Sequence, residues 1–458
     1  MPFNSIHFIY FFGVICPIYW LFKANYKVQN LILLVGSLYF YSQVDLKLCV
    51  LWGVILLITW SLGKAIETFQ LRKVTLTLGL LLIFSQLFIA KYYNWLIGDF
   101  SHTISIYKFV STIGLSYYTL AACSYLIDIY RKKLSPVTNP ITLGAYLSFF
   151  PQLLSGPIPI AYKDLPQYSQ PRSITINSVE DAGQRILWGI FKKVIVSGLL
   201  AKPVDYIFYN HSELGIIYLW LAIILYSFQV YMDFSGYSDM AWGIAKLLGI
   251  KINANFNSPF ISRTIDEFWR RWHLSLSAWL KEYIYLPLGG RGNSKWQYMV
   301  NIFIVFFMSG VWHGANANFI LWGSFNGLLF LFAILTGWTR EKNDVQYGFK
   351  GFTSMFLVFL AIAFTRVFFR SPDFATAITY YQEMFRFGDY SIPDIGLEGL
   401  GLSLLIVIIE WLQRNRSHPA DISAWSLSFR IAFYASSIII IYWAWPTQNP
   451  TEYIYFKF

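Results

Sequence analysis

Six histidines are spread along this 458-residue chain, and His313 stands where an imidazole is least expected. It lies in SGVWHGANANF, inside the run Trp296–Thr339, which contains no Asp, Glu, Lys or Arg. Burying a polar group without a partner costs roughly 2–7 kcal/mol, so His313 needs either a partner or a wet cavity. An ionisable residue within a membrane segment is by default a candidate for function. Gly310 and Gly314 allow close backbone approach, and Trp312, Asn316 and Asn318 add polar atoms around a substrate. A neutral imidazole titrating near pH 6.5 is suited to take a proton from a hydroxyl, which typically accelerates a reaction by about 10²–10⁴. The competing reading is a histidine satisfied within the core.

The second constellation is FNSPFISRTIDEFWRRWHLSLSAWLKEYIYLPLGGRG, residues 256–292, which sets Arg270, Arg271 and His273 beside Trp269 and Trp272. Such a patch could hold the phosphates and adenine of a nucleotide-like donor. It could equally be an aromatic belt with cations facing lipid headgroups, which composition alone favours. Asp233 and Asp239, just past the apolar run Leu214–Met232, are expected to form ion pairs with an Arg or Lys of the segment 251–297. The chain ends EYIYFKF, an aromatic tail that either docks in a groove or anchors at an interface. No phosphate-binding loop, zinc-protease motif, nucleophile elbow or dinucleotide fingerprint is present. Cys16, Cys49 and Cys123 lack metal-ligand spacing, so neither a metal nor a tightly bound cofactor is expected.

The elements that must position these groups follow from composition. Charged residues make up 13% of the chain and hydrophobic ones 56%, against roughly 25% charged in a soluble domain. Uncharged runs at His7–Phe22, Leu48–Gly63, Val74–Ala90, Leu214–Met232, Trp296–Thr339, Gly351–Thr365 and Ile431–Thr451 approach or exceed the ~20 residues of a spanning helix. Trp296–Thr339 suffices for two passes. The fold class is therefore all-α and polytopic, one membrane domain over 1–458. The first helix is read as retained, since a basic start and a cleavage site are missing. The net charge of +11 is read as the positive-inside bias rather than a nucleic-acid surface. Arg131–Lys132–Lys133, Lys192–Lys193 and the group Arg263, Arg270, Arg271, Lys281 and Arg291 are assigned to the cytoplasmic side. The segment Lys251–Gln297, too polar to face lipid and too aromatic to be a solvated loop, is expected to be interfacial or re-entrant.

At this point a family resemblance emerges. RRWHLSLSAWLKEYIYLPLGG and MSGVWHGANANFILWG resemble the two signature segments of the membrane-bound O-acyltransferase superfamily. More narrowly, they are similar to its bacterial branch that O-acetylates alginate and peptidoglycan and includes the D-alanyl exporters of teichoic acid. GLSYYTLAACSYLIDIYR, FPQLLSGPI, GIFKKVIVSG, YMDFSGYSDMA and TRVFFRSPDF match in order, most closely over about 114–374 and weakly over the first hundred residues.

The resemblance implies a ring of tilted transmembrane helices with interfacial or re-entrant helices around a central histidine tunnel. It places the invariant histidine on His313 and the second signature histidine on His273. It also implies acetyl-CoA as a cytoplasmic donor, with Arg270, Arg271 and Trp272 as candidates to hold it, and a multi-pass protein of the bacterial inner membrane. A periplasmic esterase-like (SGNH) partner would complete delivery to a polysaccharide. A partner peptide of the D-alanyl system ends in Phe-x-Tyr-x-x-Phe, a spacing that residues 453–458 reproduce with Tyr453 for the first Phe. Tyr455 is on that basis a candidate acyl relay, since thiol and phenol pKa values, about 8.5 and about 10, are close. The rival readings are an acyl exporter fed by a carrier protein, an enzyme acylating secreted proteins or lipids, and a non-catalytic transporter, whose inverted repeats are not found.

Overall fold

The structure is a computed structural model that describes residues 1–97, 113–339, 348–387, 395–416, 418–422 and 425–444. Among the described residues every regular element is helical, as expected for backbone that must satisfy its own hydrogen bonds in lipid. Among the described residues five helices are long and apolar enough to cross a membrane: Leu46–Thr68, Arg72–Tyr92, Ile216–Leu247, Ala317–Thr336 and Phe349–Arg370. They coincide with runs read from the sequence.

The chain divides into two compact units, Met1–Ile186 with Met240–Asn253, and Leu187–Asp239 with Ala254–Phe458. The first holds α1 (Ile6–Leu21), α2 (Tyr26–Ser42), α3 (Leu46–Thr68), α4 (Arg72–Ile97), α5 (Leu115–Tyr130), α6 (Pro140–Leu147), α7 (Phe150–Leu153) and α8 (Ala161–Asp164). Phe40 and Phe150 close an aromatic cluster with Phe8 and Phe11, ring centroids 5.3–6.2 Å apart. The polar stretch from Pro157 to Glu180 is fastened by Arg172, which is buried. Its guanidinium donates to Tyr19 Oη at 3.1 Å and Asn30 Oδ1 at 2.5 Å, and lies over the Tyr168 ring at 5.2 Å. Helix α9 (Ile176–Ile190) leads toward the second unit, and α11 (Ile216–Leu247) returns from it.

In the second unit follow α10 (Ser197–Tyr209), α12 (Ile265–Trp269), α13 (Leu274–Leu280), α14 (Lys295–His313), α15 (Ala317–Thr336), α16 (Phe349–Arg370), α17 (Phe374–Glu383), α18 (Glu398–Leu412) and α19 (Leu427–Ala444). The uncharged run Trp296–Thr339 breaks at Gly314 into α14 and α15, which fold into a hairpin. There is no room for side chains where they cross: a Cβ on Gly310 would lie 2.4 Å from the Phe319 carbonyl oxygen, and one on Gly323 2.5 Å from that of Phe306. Small residues at a helix crossing are the usual device for close packing in membranes.

Two expectations need correction here. Lys192 and Lys193 are buried, not loop cations. They sit in a π-helical turn, Phe191–Val196, where Lys192 pairs with Asp239 at 2.6 Å and Ser235 at 2.9 Å and Lys193 pairs with Asp233. The carboxylates of α11 thus have cations of this turn at contact distance, where the expectation looked to 251–297. Desolvated carboxylates demand the nearest cation, and adjacent lysines look alike whether they face water or a buried acid.

Candidate active site

His313 is the last residue of α14, and Trp312, Trp322 and Phe369 surround its ring at centroid distances of 5.0, 5.0 and 5.3 Å. Next to it stands His273, ring centroids 6.5 Å apart. The two signature segments therefore meet at their histidines.

His273 precedes α13 in the left-handed region, φ 45° and ψ 55°, a conformation that costs a non-glycine residue about 1–3 kcal/mol. Strain of this kind is often stored where chemistry is done. Its imidazole packs edge-on against Phe234 at 4.8 Å, is only 3% exposed, and finds no hydrogen-bond partner for either nitrogen. The residue lies outside the membrane spans, and burial pushes its pKa down to about 3. It is neutral, with one N–H and one lone pair available to a bound molecule.

Both histidines line a cavity of about 360 Å³. Its walls are aromatic, from Trp269, Trp272, Phe306 and Trp322, and its lining also includes Arg270, Lys281 and Arg291. A second, polar recess of about 430 Å³ shares Asp266, Arg270, Arg291 and Tyr298 with the first and adds Lys295 at the N-terminus of α14. Arg270 is 61% exposed and stands 3.7 Å from Asp266. Two neighbouring arginines thus differ in duty. Arg271 donates to Glu267 at 2.9 Å and to the Asn257 carbonyl at 3.1 Å, holding its own segment together. Trp272 is a wall of the cavity, with the Arg366 guanidinium over its ring at 4.6 Å.

Asn316 and Asn318 both make local bonds, while Asn318 Oδ1 is buried with no hydrogen-bond partner. Asn316 Nδ2 donates to the Pro372 carbonyl at 2.8 Å and its Oδ1 caps Asn318 N at 3.0 Å, while Asn318 Nδ2 donates to the Ser371 carbonyl at 3.0 Å. They pin the turn after His313 to the turn between α16 and α17. Trp312 packs on both histidine rings. Tyr455 lies outside the described residues. Sequence reading did not single out Tyr298, Ile302, Val305 and Ser309, which line the cavity with His313. The signal was present: these positions recur every three or four residues back from His313, one stripe of a helix.

Comparison with known proteins agrees with this geometry. The sequence profile of "MBOAT, membrane-bound O-acyltransferase family" matches residues 35–369. The chain is 32% identical over 430 residues to the probable alginate O-acetylase AlgI of Pseudomonas aeruginosa, covering 90% of this chain and 80% of that one. It is 30% identical over 412 residues to the peptidoglycan O-acetyltransferase of Helicobacter pylori, covering 83% and 73%. A teichoic acid D-alanyltransferase of Streptococcus thermophilus matches over 51% of this chain at 29% identity. With paired histidines lining an aromatic cavity and a family match over most of its length, the chain belongs to the membrane-bound O-acyltransferases.

Proposed function

We propose that this acyltransferase moves acetyl groups from cytoplasmic acetyl-CoA across the bacterial inner membrane for O-acetylation of an extracytoplasmic polysaccharide of the alginate or peptidoglycan type. The observation that carries the reading is that His273 and His313, side by side, line one aromatic cavity together with Arg270, Lys281 and Arg291. Cations and a helix N-terminus attract phosphates, so Arg270, Arg291 and Lys295 suit the donor's charged end. The aromatic cavity suits an uncharged thioester arm. The relatives named for alginate and peptidoglycan O-acetylation set the acceptor class.

In this reaction His313 takes the proton of the attacking hydroxyl as its oxygen bonds to the thioester carbonyl carbon. The His273 N–H donates to the carbonyl oxygen as negative charge gathers there. Collapse of the tetrahedral adduct breaks the carbon–sulfur bond, and the proton on His313 passes to the departing thiolate. The first acceptor is Tyr455 of the chain's own tail, whose acetyl ester keeps transfer potential for a periplasmic esterase-like partner.

The test is CoA release from acetyl-CoA by the purified chain in nanodiscs, with the acetyl label mapped on the protein. His313→Ala is expected to cut turnover by about 10²–10⁴, and Tyr455→Phe to remove the label. Full activity in His313→Ala overturns the proposed base, and undiminished glycan acetylation by Tyr455→Phe removes the relay. Turnover with an acylated carrier protein but not with CoA would instead favour a D-alanyl-type exporter.

A further inference from the structure

We infer that Asn255 is the positioning residue that holds His273 in its strained turn and leaves the imidazole free for substrate. His273 occupies the position just before α13, where a side chain ordinarily turns back to accept a backbone N–H of the first turn. Its side chain makes no such bond. The capping duty is met from outside the helix: the Asn255 carbonyl accepts the Leu274 N–H at 2.9 Å. The Asn255 side chain then ties this turn in two directions. Its Oδ1 accepts from Ser275 Oγ at 2.5 Å, in the first turn of α13, and its Nδ2 donates to Ser238 Oγ at 3.0 Å, on α11.

Helix α11 meets the same turn from the other side. One turn before Ser238 it presents Phe234 edge-on to the His273 ring. Asn255 is fully buried, with both ends of its amide engaged, so its geometry is fixed. A second stitch, Asn257 N to the Arg271 carbonyl at 3.0 Å, runs the two segments side by side without touching His273. Asn255 is therefore where the left-handed backbone of His273 is referred to a long membrane helix. A residue that bonded to the imidazole instead would have consumed the groups the reaction needs. The chemistry Asn255 serves is the donation from His273 to the acyl carbonyl, so the inference rests on the function proposed above.

The experiment uses the full chain in nanodiscs, comparing His273→Ala, Asn255→Ala and the double variant in acetyl-CoA-dependent CoA release. Asn255→Ala is expected to lower kcat nearly as far as His273→Ala while leaving KM for acetyl-CoA within about twofold. On the His273→Ala background it is expected to cost nothing further, since residues acting through one another are non-additive. A wild-type kcat in Asn255→Ala overturns the inference, as does a loss in the double variant equal to the product of the two single losses. If Asn255→Ala does not fold, Ser238→Ala and Ser275→Ala each remove one of its bonds, and normal kcat in both is equally fatal. Should the wild type release no CoA, the functional reading fails, and the His273 ring resonances decide alone: they shift in Ser238→Ala and Ser275→Ala if the tie exists, and stay put if it does not.

Discussion

Lys295 and His313 are the first and last residues of one helix, so the polar recess that Lys295 lines and the His313 imidazole are held apart by its length. Nineteen residues at 1.5 Å each make about 28 Å, comparable with a hydrocarbon core of about 30 Å. A charged donor end and a reacting carbonyl can thus occupy opposite ends of one rigid rod.

The two ends should be separable by mutation. Arg291→Ala removes a cation shared by both recesses. Charge-assisted hydrogen bonds contribute about 1.5–3 kcal/mol, so KM for acetyl-CoA should rise about ten- to a hundredfold with kcat little changed. Arg271→Ala should leave KM alone and lower the unfolding temperature, because it strips a partner from buried Glu267. Steady-state kinetics and thermal unfolding in nanodiscs read both effects, and a KM effect at Arg271 would contradict the assignment.

Gly310→Ala should unseat the hairpin of α14 and α15. The added methyl meets backbone on the facing helix, and overpacking of this kind typically costs about 1–3 kcal/mol. Gly53→Ala in α3 is the control, since nothing lies within 4 Å of its new Cβ. It should be neutral or raise stability by up to about 1 kcal/mol. Equal unfolding temperatures for the two variants would refute the close crossing.

Breaking the Lys193–Asp233 pair should cost far more than removing both partners. Lys193→Met strands a buried carboxylate, an effect of about 3–5 kcal/mol. Adding Asp233→Leu should restore much of the loss. Denaturation of the single and double variants checks this; a double variant no more stable than Lys193→Met would mean that Asp233 is not stranded.

Acid should loosen the His273 turn. With the folded pKa near 3 and the free imidazole near 6.5, the unfolded chain takes up a proton between those values and the folded chain does not. The stability gained by keeping the ring neutral is complete above about pH 6.5 and is lost as pH falls toward 3. His273→Gln should show a shallower fall in unfolding temperature between pH 7.5 and 5. Identical slopes would count against a buried neutral ring.

What the sequence made legible and what it hid divide along physical lines. Spanning helices were legible because hydrocarbon tolerates so few charges, and His313 because it broke that rule. Resemblance marked His273 and His313 as signature residues, but no spacing rule would have set their rings side by side. Arg270 and Arg271 could not be told apart, since adjacent side chains of the same type reveal their partners only in three dimensions. The lysines at 192 and 193 were misread for a related reason: composition counts charges without saying whether each faces water or a buried acid. Asn255 escaped notice because its worth lies in three hydrogen bonds to distant residues.

The π-helical turn at Phe191–Val196 has a consequence for chain length. A turn widened to i→i+5 bonding, as between Ser197 N and the Lys192 carbonyl, contains one residue more than an α-helix of the same register. A single deletion there closes the turn to ordinary α-helical bonding, keeping the flanking turns in register and changing only which residues of the turn face α11. The segment is thus a vernier: one residue gained or lost leaves the helix continuous but changes which lysine meets which aspartate.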